Sequence, residues 1–267
     1  MTTRARGARG SFVADIALRL LRREHLTLWG PQGSGKTTVL NEVQQLLQDE
    51  RCGFSASTVH LDDITCALER AYGDVITQGL SRSAARGRLW LAADAEPGVL
   101  LLDQVSDVSI AMKSWLRRLR GGVAGVILAV DVNSPRERTK LRARRLGFSS
   151  VPMPRTAALA IARQLATHLA AAGVPPLPLP ARRTLVRAAR GRPGWVVTCA
   201  SLAGHSRYWR DGQLKAHLLA TDSEVCLRAE VAPVRDRQEK NDPDQNCDER
   251  RPERVSCRRA NASRCCH

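Results

Sequence analysis

The chain has 267 residues, of which 43% are hydrophobic and only 4% aromatic, so its core must be built mainly from aliphatic side chains. Forty-two Lys and Arg against 26 Asp and Glu give a formal net charge of +16, which favours a polyanionic partner, although Arg enrichment is also typical of a GC-rich genome. No run of about 18 apolar residues and no signal-peptide pattern is present, so we expect a cytoplasmic chain with no membrane contact.

Residues 11–152 alternate amphipathic segments with short apolar runs. The periodicities predict helices at 11–23, 36–48, 64–72, 81–92 and 111–120, and strands at 25–29, 57–61, 99–102, 125–130 and 148–151. Strands separated by helices pair in parallel, and continuous apolar strands are buried on both faces. The sequence therefore predicts an α/β fold with three αβα layers and a mostly parallel five-stranded sheet.

The pattern changes near residue 153. Residues 156–172, 181–190 and 194–203 have helical periodicity without a strand pattern, which predicts a small helical domain over 153–225. Residues 1–10 and 226–267 lack the apolar periodicity of a packed element, so we expect both ends to be disordered.

A glycine-rich segment between the strand at 25–29 and the helix at 36–48 matches the P-loop pattern G-x-x-x-x-G-K-[ST]. Its glycines let successive backbone N–H groups point at phosphate oxygens, while the lysine reaches the terminal phosphates and the following hydroxyl ligates Mg²⁺. The predicted nucleotide-binding residues are Gly30, Pro31, Gln32, Gly33, Ser34, Gly35, Lys36, Thr37 and Thr38.

An acidic residue follows the apolar run at 99–102. Asp103 at the end of such a strand is typical of a Walker B motif, so we predict that Asp103 and Thr37 hold Mg²⁺. Many ATPases place a glutamate next, but this chain has Gln104, which hydrogen-bonds a water without accepting its proton. Slow hydrolysis is the expected consequence.

From the P-loop and the acidic strand, residues 11–205 resemble the AAA+ ATPases, in the branches near origin-recognition, transposon-helper and STAND-type regulators. The resemblance implies a strand order of 5-1-4-3-2, with residues 153–225 as the lid. It also implies a γ-phosphate sensor after the strand at 125–130, where Asn133 is favoured over Asp131. Arg145, near Arg144, corresponds to an arginine finger that acts on a neighbour's nucleotide, and Arg192 to a second sensor in the lid.

The leading hypothesis is an ATP-dependent, Mg²⁺-dependent conformational switch with slow hydrolysis. Its candidate partners are DNA, through the arginines at 117–120 or 136–145, and a second copy of the chain through Arg145. The alternative is a regulatory ATPase of the STAND type that acts on protein partners, which a slow site would suit. A small-molecule kinase is a third class, in which Asp62 and Asp63 would bind the acceptor, although such a pair is also typical of a helix start.

Overall fold

A five-stranded parallel sheet lies at the centre of the protein. The structure, a computed structural model, describes residues 3–48, 50–56, 61–73, 76–105, 110–122, 125–131 and 146–229. The strands are β1 (His25–Gly30), β2 (Cys52–Ser55), β3 (Val99–Leu102), β4 (Gly125–Asp131) and β5 (Ser149–Pro152), in the order β2-β3-β4-β1-β5. This is the order 5-1-4-3-2 read from the other edge, and every neighbouring pair is parallel. The predicted fold class and strand order are therefore confirmed.

Helices pack on both faces of this sheet. They are α1 (Thr3–Leu21), α2 (Lys36–Leu46), α3 (Leu61–Tyr72), α4 (Arg82–Ala95) and α5 (Ile110–Gly122). One apolar cluster joins α1 and α2 to strand side chains such as Leu28 and Leu101, and the other joins α3, α4 and α5 to Leu100 and Leu128. Leu100 and Leu101 belong to opposite clusters because successive strand residues point to opposite faces. The continuous apolar runs thus arise from burial on both sides.

Two predicted boundaries in this part of the chain are wrong. The second strand is Cys52–Ser55 rather than residues 57–61, and Leu61 already belongs to a helix. This edge strand is short and carries a glycine and a serine, so it has no continuous apolar run. The first helix begins at Thr3 instead of residue 11, so residues 3–10 are helical despite the basic composition that predicted disorder.

The chain after β5 forms a helical region with its own apolar cluster. It contains α6 (Ala158–Ala171), α7 (Leu179–Ala189), α8 (Pro193–Ala203) and α9 (Ala216–Ala229), which pack around the fully buried Trp195 and Tyr208. The three helices that the sequence predicted here are present. None of the described helices has both the length and the apolar character that a membrane span requires.

Two features of this region differ from the sequence expectation. A short antiparallel pair, β6 (Trp209–Arg210) and β7 (Gln213–Leu214), lies where no strand was predicted. Helix α9 was not predicted, and it continues to Ala229, past the expected start of a disordered tail at residue 226. Its four buried residues have helical spacing, but only two of them, Leu219 and Leu227, are large and apolar, which weakens the pattern. The expectation for the chain from 230 onward lies outside the described residues.

Candidate functional site

Three neighbouring strands bring polar residues to one edge of the sheet. Gly30 ends β1 and is paired in register with Asp131, which ends β4, while Asp103 directly follows β3 on the other side of β4. The carboxyl ends of parallel strands are where α/β folds bind ligands. The glycine-rich loop and two carboxylates therefore meet at the edge where a ligand is expected.

The loop between β1 and α2 has the backbone that its glycines predicted. Gly33 has φ of 73° and Gly35 has φ of 93°, a left-handed region in which only glycine is unstrained. Gly35 is the N-cap of α2, so Lys36, Thr37 and Thr38 form the first turn of that helix, and no side chain caps it. The N–H groups of this first turn thus remain available to an anion.

Lys36 is buried and is held against the loop. Its Nζ donates to the carbonyl oxygens of Gly30 and Pro31, both at 3.0 Å, and to Ser34 Oγ at 3.4 Å. The same Nζ lies 2.5 Å from Asp131 Oδ1, which makes an ion pair across the edge of the sheet. The ammonium is therefore positioned at the mouth of the loop, with Asp131 as its counter-charge.

Asp103 is a buried carboxylate with one free oxygen. Its side chain is 1% exposed; Oδ1 accepts from the backbone N–H of Gln104 at 2.8 Å, and Oδ2 has no hydrogen-bond partner among the described residues. Burial raises the pKa of Asp103, and a hydrogen bond from Thr37 and the charge of Lys36 partly oppose that shift. A buried oxygen without a donor, next to a threonine hydroxyl, is the donor set that Mg²⁺ prefers.

Gln104 has an unusual backbone. Its φ is 50°, in the left-handed region where residues other than glycine are uncommon, and its side chain is exposed at the cavity beside the loop. Such strain often occurs at functional sites, where the surrounding structure holds it. The turn thus places Gln104 in the lining of the cavity, directly after Asp103.

The helical region forms part of the lining of this cavity and contacts the loop directly. The backbone N–H of Gly194 donates to the carbonyl of Gly33 at 2.9 Å, and Gln32 Nε2 donates to the carbonyl of Leu227 near the end of α9. A Cβ on Gly194 would lie 2.8 Å from Gly33 Cα, so the contact requires a glycine there. The cavity next to this contact has a volume of about 370 Å³.

Sequence reasoning missed several residues that line this cavity. Arg9 of α1 lies there and forms an ion pair with Glu42 at 3.1 Å, and Gln164 and His168 of α6 also line the cavity. Arg9 was overlooked because the first helix was expected to begin after it. Gln164 and His168 carry no motif, and only the packing of α6 brings them to the loop.

The predicted sensor residues are distributed differently. Arg192 does not line the loop cavity; its guanidinium lies 2.5 Å from Glu224 of α9 and donates to the carbonyls of Ala188 and Ala189. Asn133 and Arg145 lie outside the described residues. Asp131, the other candidate for the first sensor, lines the cavity.

The strand order and the position of the phosphate loop decide the fold. The chain has the fold of the AAA+ ATPases. No protein-family model matches it, and a comparison with curated proteins found no match. Nucleotide binding and the roles of the site residues therefore rest on the geometry described above.

The chain is similar to several solved structures, at low sequence identity. Cdc6p from Pyrobaculum aerophilum is 16% identical over 73% of this chain and 61% of its own, with a TM-score of 0.49. Orc1 from Aeropyrum pernix, solved in complex with DNA, is 19% identical over 85% of this chain and 65% of its own, with a TM-score of 0.47. Domain III of the replication initiation protein DnaA from Thermotoga maritima is 15% identical over 80% and 90%, also with a TM-score of 0.47. The chain thus spans less than two thirds of the first two proteins.

Proposed function

We propose that the chain binds ATP with Mg²⁺ in the loop cavity and works as a nucleotide-dependent conformational switch with slow hydrolysis. The observation that carries this proposal is that the P-loop, the free carboxylate oxygen of Asp103 and the helical region all line one cavity. A ligand in that cavity contacts both parts of the chain at once. Its presence therefore changes how firmly the two parts hold together.

In this proposal, different residues of the loop and its flanks bind the phosphates and the metal ion. The N–H groups from Gly33 to Thr38 and the Lys36 ammonium bind the phosphates, and for this Lys36 has to weaken its ion pair with Asp131. The Thr37 hydroxyl and Asp103 are the residues that would hold Mg²⁺. The metal ion neutralises charge on the phosphates when it is bound. Gly30, Pro31, Gln32 and Ser34 shape the loop.

Slow hydrolysis follows from the residue after Asp103. Gln104 lines the cavity at the position where a glutamate would take a proton from the attacking water, and an amide cannot accept that proton. We propose that Gln104 orients the water only. Asn133 and Arg145 keep their proposed roles as γ-phosphate sensor and as a finger toward a second copy of the chain.

Arg192 requires a rearrangement to act as a sensor. Its bidentate ion pair with Glu224 holds it within the helical region, so contact with a phosphate would require Arg192 to leave that carboxylate. A bound triphosphate offers a competing anion of higher charge. The exchange of partners would make the helical region sensitive to which nucleotide is bound.

A regulatory ATPase that acts on protein partners is the second candidate, and Gln104 favours it because a slow site keeps its ATP state for longer. Turnover that duplex DNA accelerates would favour a DNA partner, whereas turnover that DNA leaves unchanged would favour a protein partner. The kinase hypothesis has less support, because Asp62 is paired with Arg82 at 2.9 Å and with Arg86 at 3.3 Å. An acceptor substrate would have to displace both arginines.

Nucleotide binding is tested by removing the loop ammonium. We expect Lys36→Ala to weaken the binding of a fluorescent ATP analogue by at least about tenfold, because the phosphates lose a buried charged donor. Fluorescence anisotropy with and without Mg²⁺ measures the change. EDTA should weaken binding to the wild type more than to Lys36→Ala if the metal and the lysine act on the same phosphates.

Lys215→Ala provides a control, since Lys215 is an exposed lysine of the helical region that does not line the cavity. We expect its affinity to remain within about twofold of the wild type, as for most surface changes. Equal affinities of Lys36→Ala and the wild type would contradict the proposal. Equal losses in the two variants would also contradict it, because they would indicate a general charge effect.

A further inference from the structure

A second cavity lies in the helical region, between α7 and α9. Its volume is about 590 Å³, and it shares no lining residue with the loop cavity. Arg187 and Arg190 approach it from the end of α7, and Arg228 approaches it from the last turn of α9. Thr184 precedes Arg187 by three residues and Thr221 precedes Arg228 by seven, which is helical spacing. Each helix therefore places a threonine and an arginine on the face that lines the cleft, among alanine and valine side chains.

The charge in this cleft is strongly unbalanced. Among the described residues, Glu224 is the only acidic one that lines the cleft. Arg192 neutralises it through two hydrogen bonds at 2.5 and 3.3 Å, and Arg228 is also 3.3 Å away. Arg187 and Arg190 have no acidic partner among the described residues, and both are exposed. Arg187 and Arg190, which lack an acidic partner among the described residues, therefore line the cleft together with Arg228, which shares Glu224 with Arg192.

The imbalance extends beyond the cleft. Residues 153–229 contain eleven Lys and Arg but only three Asp and Glu. Each of the three acids is already paired with arginine: Asp211 with Arg210, Asp222 with Arg207, and Glu224 with Arg192. The remaining positive charges of this region are thus not balanced by its own carboxylates, and they attract a polyanion.

We propose that the cleft between α7 and α9 binds the phosphate backbone of duplex DNA without reading its sequence. Guanidinium groups bind phosphate oxygens through paired hydrogen bonds, and such contacts position a protein on a duplex without base specificity. Among the described residues, the rings that line the cleft are Trp195, which is fully buried, and His217, which is exposed. A single imidazole offers little surface on which successive unpaired bases could stack, whereas the arginines suit the closely spaced phosphates of a duplex.

The arginines that the sequence suggested for this role are partly engaged elsewhere. Arg118 lies 4.8 Å from the centre of the Trp90 ring, and Arg120 Nη1 donates to the carbonyl of Leu146 at 2.7 Å. Both therefore stabilise the core. The segment 136–145 lies outside the described residues. The cleft offers a cluster of cations that the fold itself assembles from two helices.

The test uses the full chain and two fluorescent duplexes of about 25 base pairs with unrelated sequences. We expect the triple variant Arg187→Gln, Arg190→Gln, Arg228→Gln to weaken binding of both duplexes on the order of tenfold at low salt. The slope of log affinity against log salt should decrease by about one unit for each arginine that contacts a phosphate. Fluorescence anisotropy across a salt series measures both quantities.

A matched control removes the same charge from elsewhere in the region. Arg163→Gln, Arg182→Gln, Arg210→Gln changes three exposed arginines that do not line the cleft, and we expect less than about a threefold loss. Circular dichroism checks that both triple variants are folded, and the single variant Arg187→Gln repeats the test with the smallest structural change.

The inference would be overturned by equal losses in the two triple variants, by unchanged binding in the cleft variant, or by tighter binding of a single strand or of poly-glutamate than of either duplex. The test does not depend on the proposed ATP site, because the two cavities share no residue. Measuring ATP affinity of the cleft variant in parallel separates failure of one proposal from failure of the other.

Discussion

Individual residues at the sheet edge show how burial and position set chemistry. Asp103 is almost fully buried, so its pKa is raised, yet Thr37 and Lys36 favour the ionised form. Burial and these two partners therefore shift the pKa of Asp103 in opposite directions. Gln104 beside it is exposed and neutral. The two adjacent side chains therefore differ sharply in what they can do.

The proposed slow hydrolysis depends on Gln104. We expect Gln104→Glu to raise the rate of ATP hydrolysis on the order of tenfold or more, because a carboxylate can accept the proton of the attacking water and general bases contribute about 100-fold or more at their best. Phosphate release at saturating ATP measures the change.

Gln164→Glu serves as the control, since it adds the same charge to the same cavity from α6. We expect no acceleration from it, because α6 lines the cavity on the side of the helical region. An unchanged rate in Gln104→Glu would mean that residue 104 does not contact the attacking water. Acceleration in both variants would mean that charge, rather than position, sets the rate.

Among secondary-structure elements, the ion pair between the start of α8 and the middle of α9 has a defined dependence on pH. Hydrogen bonds from Arg192 hold the pKa of Glu224 below its usual value. Stability from a carboxylate with a lowered pKa is present above the unfolded-state pKa, about 4.3, and is lost as the pH falls through the folded-state pKa.

We therefore expect Glu224→Gln to lower the free energy of unfolding by about 1 kcal/mol at pH 7, with the difference from the wild type disappearing near pH 3. Urea unfolding at several pH values measures it. Asp211→Asn breaks the exposed pair with Arg210 at 3.6 Å and should change little at any pH. A Glu224→Gln effect that persists at low pH would show that packing, rather than the ion pair, is responsible.

The elements also show where sequence patterns succeed. Strands β3 and β4 and helices α2 and α8 were predicted within a few residues, because long apolar runs and regular amphipathic spacing are local signals. Strand β2 was placed wrongly because it lies at the sheet edge and lacks such a run. Helix α9 was missed because only two of its four buried residues are large and apolar, and its position depends on contacts with α7 and α8.

At the scale of the whole molecule, the backbone contact between Gly194 and Gly33 helps to join the phosphate loop to the helical region, next to the hydrogen bond from Gln32 to Leu227. We expect Gly194→Ala to destabilise the protein by about 1–3 kcal/mol, because the new Cβ would lie 2.8 Å from Gly33 Cα and force the two segments apart. The variant should also bind ATP more weakly, since the cavity opens. Urea unfolding and fluorescence anisotropy measure the two effects.

Gly204→Ala is the matched control at the other end of the same helix. Its backbone has φ of −70°, and a Cβ there meets nothing within 4 Å. We expect a change between zero and about 1 kcal/mol of stabilisation. If Gly194→Ala behaved like Gly204→Ala, the contact between loop and helical region would not control the cavity.

The sequence by itself determined the local parts of this protein: the phosphate loop, the buried strands and most helices. Their signals are carried by neighbouring residues, and left-handed glycines and apolar runs need no distant partner to be recognised. Only the tertiary structure decided which residues meet. It paired Lys36 with Asp131, separated Arg192 from the phosphate loop, and brought Arg9 and Gln164 to one cavity. These contacts join segments far apart in the chain, and only the packing of whole elements fixes such distances.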